Sequence, residues 1–463
     1  MLNIILYFAC YLGGFIASIR YNVIYIFVAY EAIYFFNPER RWWGEIIPQI
    51  SYSFYLSIFM IVLFFIQQKK LIPSKVFAVP QLRWAYIILL LYGIAYFYAV
   101  FQVLHLDYLI TFLKTIVIIT VAYKLCDSVE KLKLILYGYI FGAWYLSFYA
   151  WQVGRNSSGR VERIGTVDSP DANGAASVIV PSLILCLYFF WTHHNKWAKA
   201  CFVIAGAFIA NALVLINSRG AFLGVAVCTV YFMYHMYFSS FQRKRQKATA
   251  IFLTLFGLMG VVYVADDAFI ERMQSITQES KADETTETGA TRTIFWMAAW
   301  DMAKDHPFGA GFRGFNYFSP VYIPANVNTG GNKSRTVHSS WFEALSEIGY
   351  LGLFALIMMV LACIRTYSLC KKKLKEDKLV DYYFMVIALE ASFISYLITM
   401  TFLNRLRAEI LYWCILYSAI AYNLFVLQRA EAKKNNALLQ DGVISESAAI
   451  DTPSPTGALK RQR

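Results

Sequence analysis

The chain has 463 residues, of which 59% are hydrophobic and 17% aromatic, and its formal net charge is +13. Its mean hydropathy of +0.49 excludes an ordinary soluble protein and indicates an integral membrane protein. The positive charge reads as a topology signal, with nucleic-acid binding a poor second explanation.

A membrane-crossing helix needs roughly 20 apolar residues. Lipid offers no partners to backbone polar groups, and the apolar runs show no alternating period, so the spans are helices and not barrel strands. They fall near 2–18, 21–36, 49–66, 84–101, 107–125, 132–152, 174–191, 198–216, 220–237, 249–265, 340–364, 380–402 and 409–427. The expected fold is an all-α polytopic bundle of 12–13 transmembrane helices, the first two short enough to form one hairpin or a partly re-entrant pair. The opening NIILYFACYLGGFIAS has no basic stretch before it and reads as a retained helix, not a cleaved signal peptide. The eight cysteines lie in or beside apolar runs without a CxxC pair, so neither a disulfide framework nor a zinc site is expected.

Four regions follow: a transmembrane bundle over 1–265, a long loop over 266–339, further transmembrane helices over 340–427, and a polar tail over 428–463 expected to be disordered. Lysine and arginine accumulate around Lys69, Lys70, Lys75 and Arg83, in RKRQK (243–247) and in KKKLKEDK (371–378). With alternating spans these loops share one side, assigned to the cytoplasm together with the tail. The external side then receives 154–174, the long loop, and the turn 403–409. A connection of some 70 residues is far beyond the usual few and should have structure and a job. Within it, TRTIFWMAAWDMAKDHPFGAGF (291–312) reads as a helix opened by threonine, with Trp296 and Trp300 one turn apart, stopped by PFGAGF. Lying at the interface, it would lid a cavity below. The acidic QESKADETTE (278–287) has no assigned role.

Charge at a membrane boundary is costly unless paired or functional. Arg219 in SRG, Arg292 in TRT and His338 before SSWFEALSE all fall on the external side. Each arginine offers a planar fork that matches phosphate oxygens, close to a helix N-terminus that also favours anions, so the two suit a diphosphate. For either arginine alone, snorkelling to headgroups is an equal explanation. A histidine kept neutral by neighbouring guanidiniums suits a general base, although a lone histidine at a helix start is more often a cap. Glu343 and Glu347 lie one and about two turns deeper, to orient the base, balance charge or form salt bridges. Arg160 and Arg163, near Arg155, Asp168, Asp171 and Asn173, fit a headgroup or glycan surface as well as a solvated loop. Arg405 and Arg407 would extend the cationic surface. No histidine pair has metal-ligand spacing, and neither a metal nor a cofactor is expected.

In order along the chain, SRGAFLG (218–224), TRTIFWMAAWDMAKDHPFGAGF (291–312) and HSSWFEALSEIGYLGL (338–353) together resemble the O-antigen ligase and polymerase superfamily of bacterial envelope enzymes. GFIASIRYNVIYIFVAYEAIYFFNPERRWWGE (14–45), with NPERRWWG at 37–44, is similar to the N-terminal region of O-glycosylation ligases associated with exosortase systems. The resemblance implies a metal-independent, inverting glycosyltransferase of the bacterial inner membrane, its active site facing the periplasm. It implies a glycan donor on undecaprenyl diphosphate and an acceptor that is lipid A-core, another glycan or a protein hydroxyl. It also implies catalytic roles for Arg219, Arg292 and His338; from the residues themselves, Arg160, Arg163, Arg405 and Glu343 are the substrate-binding candidates. A repeat-unit polymerase uses the same donor and differs in acceptor. A lipid-linked-glycan flippase would instead need ionisable groups along a central path, for which Glu31, Lys114 and Glu390 are the scattered candidates.

Overall fold

The computed structural model describes residues 2–157, 159–264, 270, 291–326 and 333–440, and every regular element among them is helical. The first ten helices are α1 (Leu2–Arg20), α2 (Tyr25–Phe36), α3 (Tyr52–Gln67), α4 (Pro80–Ala95), α5 (Gln102–Leu125), α6 (Val129–Val153), α7 (Ala172–Thr192), α8 (Lys196–Ile216), α9 (Arg219–Phe238) and α10 (Gln246–Val264). They are followed by α11 (Thr291–Asp305), α12 (Gly314–Tyr322), α13 (Ser340–Glu376), α14 (Val380–Thr401), α15 (Glu409–Tyr422) and α16 (Gln428–Gln440).

Every expected span coincides with a helix, and among the described residues nine helices are long and apolar enough to cross a membrane. The protein is therefore a polytopic helical membrane protein. At 12 residues α2 reaches only about 18 Å, short of a core roughly 30 Å thick. It is nevertheless almost wholly buried, packed against α1, α3 and α6, and it stops at Asn37 in the left-handed conformation just before Pro38. Burial identifies the centre of the bundle: 83% of the apolar window of α7 and 78% of that of α14 are buried, against 28% for α1, α8 and α9. The outer helices present their apolar faces to lipid, as an amphipathic pattern inverted for a membrane requires.

The three basic loops gather at one end. Lys375 Nζ donates to Ser240 Oγ at 2.9 Å, Arg243 meets Asp381 at 3.5 Å, and α16 brings Arg429 to Asp377 and Glu431 to Lys75. The tail differs from expectation over 428–440, which is helical and continues from α15 through a π-helical turn at Asn423–Leu427. Its remainder, 441–463, and the acidic stretch 278–287 lie outside the described residues.

At the opposite end α13 is broken. Ile348 and Gly349 leave helical geometry, with φ −128° and +69°, so residues 340–347 form a short segment set apart from the long membrane helix. The break frees carbonyls in a buried place, and PFGAGF satisfies them. Ala310 N–H donates to Ser346 O at 2.9 Å, Gly311 N–H to Glu347 O at 2.9 Å, and Tyr350 N–H back to Pro307 O at 3.1 Å. PFGAGF is therefore a backbone plug for the break in α13 as well as the stop of α11. Its glycines are required by close approach. A Cβ on Gly309 would lie 2.5 Å from the Glu347 carbonyl, and one on Gly349 2.1 Å from Pro307 O, both at positive φ. α11 rests on this plug through Phe295, Ala298, Ala299 and Met302, which form a small separate core with Ala310 and Phe315.

Gly349→Ala is expected to lower stability by about 1–3 kcal/mol, because it combines a left-handed backbone with a clash against fixed backbone atoms. Thermal unfolding of the purified protein checks this. Gly257→Ala, with open space around it, should leave the melting temperature unchanged.

Candidate functional site

The short segment 340–347 carries Glu343 and Glu347 one turn apart, so both carboxylates face one side. Both meet Arg407. Its Nη2 lies 2.9 Å from Glu343 Oε1 and 3.3 Å from Glu347 Oε1, and its Nη1 bonds Glu347 Oε2 and the Tyr92 hydroxyl. The guanidinium sits 4.4 Å from the Phe312 ring centroid, 5.1 Å from that of Tyr92 and 5.9 Å from that of Tyr108. Tyr92 OH donates to Glu347 Oε2 at 2.6 Å, Leu406 N–H to Glu343 Oε2 at 3.1 Å, and Arg313 N–H to Glu347 Oε1 at 3.2 Å. Burial opposes charge on Arg407, yet Glu347 and Glu343 hold its pKa well above the ordinary arginine range. Arg407 was expected to extend an external cationic surface; the structure makes it an internal ion-pair centre. Glu343, a substrate-binding candidate, has Arg407 and Leu406 as partners.

His105 completes the knot. Phe312 N–H donates to its Nδ1 at 2.9 Å, so Nε2 carries the proton and donates to Tyr92 O at 2.8 Å. The bond to Nδ1 fixes a neutral tautomer that latches the plug to α4 and α5.

The knot holds the turn 403–407 against the start of α13. Ser340 Oγ donates to Leu403 O at 2.7 Å, Arg405 N–H to Ser340 Oγ at 2.8 Å, and Ser339 N–H to Asn404 Oδ1 at 3.2 Å. From this turn Arg405, buried, reaches Asp171 Oδ2 at 2.9 Å and Asp168 O at 3.1 Å. Burial opposes its charge, but Asp171, Tyr396 and Asp168 together offset this and raise its pKa above the ordinary value. Asp171 also caps α7 through Gly174 N–H at 2.9 Å. Burial works against its carboxylate, and Arg405 with this cap still lowers its pKa. Arg160 donates to Ile216 O at 3.0 Å and to Asn173 Oδ1 at 2.8 Å, closing the end of α8 onto α7. Arg405 and Arg160 thus have protein partners that shape the rim, whereas Arg163 is exposed at φ +60° and supplies a carbonyl to Arg41.

His338 sits immediately before this stitched turn, in the left-handed conformation at φ +52°. A non-glycine residue held there is a local outlier of the kind that clusters at functional sites. Its Nε2 is 3.2 Å from Thr336 Oγ1, and its ring faces Phe295 of α11 at 6.2 Å. Burial first, then the positive charges of Arg292 and Arg335, push the imidazole down to about 4, against an opposing pull from Asp171. The ring is neutral at pH 7. The adjacent Ser339 hydroxyl is buried and has no hydrogen-bond partner among the described residues. Arg292 opens α11 on the same wall. Arg219 opens α9, and a Cβ on the next residue, Gly220, would lie 3.5 Å from the Phe402 ring. Phe402 packs at 6.1 Å on Trp296, one turn along from Arg292, and Trp296 stacks at 5.6 Å on Phe342. The structure thus brings His338 and Arg292 into one electrostatic cluster and ties the helix start of Arg219 to the same wall. Arg335, which the sequence reading did not single out, joins that cluster; its position three residues before His338 was the available signal.

The remaining intramembrane charges are apart from this wall and from each other. Glu31 accepts from Tyr417 OH at 2.7 Å, Glu390 pairs with Lys371 at 2.5 Å and Tyr231 at 2.6 Å, and Lys114 is exposed on α5. Among the described residues no group of three or more His, Cys, Asp or Glu is placed to hold a metal ion.

Taken together, the helical bundle defines the class as a polytopic membrane protein, with an arginine-flanked neutral histidine at one end. Residues 204–357 match the family model described as O-antigen ligase, spanning Arg219, Arg292 and His338. This match, over about a third of the chain, supports the O-antigen ligase and polymerase superfamily and an O-antigen ligase-type function in general. The N-terminal likeness at 14–45 lies outside the matched residues. No curated protein matches the chain.

Two outcomes follow. By histidine hydrogen–deuterium exchange, His338 should titrate more than a unit below its ordinary value of 6.5, and Arg292→Gln should raise that midpoint. Because the folded pKa is the lower one, the stability His338 contributes is present above pH 6.5 and is lost as pH falls toward 4. Separately, Arg407→Leu should cost about 3–5 kcal/mol of stability by leaving two buried carboxylates unpaired, measured by thermal unfolding.

Proposed function

We propose that the protein is a membrane glycan ligase of the bacterial inner membrane, which transfers a glycan from undecaprenyl diphosphate to an acceptor hydroxyl on the periplasmic side. The observation that carries this reading is the neutral His338 beside Arg292 and Arg335, on a wall shared with the helix start at Arg219. A neutral imidazole next to guanidinium charge suits a base that works beside a diphosphate. His338 takes the acceptor hydroxyl proton as that oxygen attacks the anomeric carbon. The new carbon–oxygen bond forms as the bond to the diphosphate breaks, and undecaprenyl diphosphate leaves with the electron pair. Arg292 and Arg219, the latter at the N-terminus of α9, bind the diphosphate and stabilise the charge that builds on it. One direct displacement inverts the anomeric configuration. The gathering of the basic loops at the far end agrees with a periplasmic orientation, because short basic loops stay in the cytoplasm.

The acceptor is lipid A-core, another glycan or a protein. A ligase knockout should accumulate long lipid-linked chains. Single repeats would instead identify the repeat-unit polymerase.

With purified protein and a lipid-linked glycan donor, His338→Ala, Arg219→Ala and Arg292→Ala should each reduce transfer by about a hundredfold or more at unchanged melting temperature. Wild-type rates in all three would sink the mechanism. As pH is lowered, kcat/KM should hold through 6.5 and fall only toward 4, where His338 takes up its proton.

A further inference from the structure

A cleft of about 620 Å³ opens between the start of α1, the end of α6 and the loop after α2, lined by Leu2, Asn3, Trp42, Trp151 and Gln152. It is a volume that holds a small ligand. Trp42 is 64% exposed and Trp151 56%. Asn3, only 5% exposed, donates from Nδ2 to Gln152 Oε1 at 3.4 Å, while its Oδ1 is buried with no hydrogen-bond partner among the described residues. The cleft lies at the same end as His338. Arg41, next to Trp42, donates to Phe36 O at 2.9 Å and to Arg163 O at 3.5 Å, and its guanidinium sits 4.5 Å from the centroid of the Tyr149 ring. This fixes the Trp42 loop against 154–174, the loop that carries Asp171.

The lining selects among ligands. None of the five described lining residues has a charged side chain, so a phosphate finds no side-chain cation among them. An acyl chain would leave the Asn3 carbonyl oxygen without a donor. Two exposed indoles with the Gln152 carboxamide suit a sugar ring, whose C–H faces stack on aromatics and whose hydroxyls both donate to and accept from amides. We propose that this cleft binds a saccharide: a sugar of the glycan carried by the donor or by the acceptor, held away from the reacting bond. The inference deepens the transferase reading and rests on it for the presence of a glycan.

The test presents the full chain in lipid nanodiscs to a printed array of bacterial polysaccharide repeat units. At least one saccharide should bind, and Trp42→Ala and Trp151→Ala should each weaken that binding by about tenfold or more at unchanged melting temperature. His338→Ala should bind as wild type does while losing transfer. Transfer that persists without array binding would overturn the cleft and leave the ligase reading standing. Equal binding by both tryptophan variants would also overturn it. So would a lipid-buried position: Trp42→Cys and Trp151→Cys, in a cysteine-free background, resisting a water-soluble maleimide in nanodiscs but reacting in detergent. Reaction in nanodiscs supports a water-filled cleft.

Discussion

The arrangement of the candidate site depends on one buried ion-pair knot, in which a single guanidinium, Arg407, answers two carboxylates, Glu343 and Glu347. Burying three charges is expensive, and the cost is offset only because each remaining lone pair finds a donor: Tyr92 OH, Leu406 N–H and Arg313 N–H. Such a knot contributes geometry more than net stability. It fixes how four separated parts of the chain, the end of α4, the plug 307–312, the short segment 340–347 and the turn 403–407, meet at one place.

That meeting place explains why α13 is broken. An unbroken helix would carry residues 340–347 along the axis of the long span. With Gly349 in the left-handed region, the segment sets off in its own direction, and its freed carbonyls are taken by the N–H groups of Ala310 and Gly311. The plug in turn carries α11 and so Arg292, while the segment's N-terminus carries His338. Arg292 and His338 are thus 46 positions apart in sequence but mounted on two sides of one hydrogen-bonded joint. A site of this kind is pre-organised by the backbone bonds of the joint.

Electrostatics divide the end of the bundle into two zones. Inside, charges pair: Arg407 with Glu343 and Glu347, Arg405 with Asp171. At the wall, the charges of Arg292 and Arg335 add to burial in keeping the His338 imidazole uncharged. Arginines of neighbouring segments therefore differ: Arg405 and Arg407 are answered by buried or half-buried carboxylates, whereas Arg292 and Arg335 act on the His338 imidazole.

That contrast marks what could be read from the residues alone. Helical spans and the common end of the basic loops were legible, because apolar length and loop charge are local properties of a sequence in lipid; motif order singled out Arg219, Arg292 and His338. Two clues to the knot were also present: a Glu-x-x-x-Glu repeat in an apolar segment demands a cation, and PFGAGF has glycines where a backbone must approach closely. Their partners were not legible. Arg407 and Glu343 pair across 64 positions, and Arg405 and Asp171 across 234, so no local pattern distinguishes an arginine that binds substrate from one that binds protein. The sequence determined which elements form and which residue types could do chemistry, since those follow from composition and short-range periodicity. Only the tertiary structure decided which charges pair with one another, because pairing energy depends on distance and burial, quantities set by the packed chain.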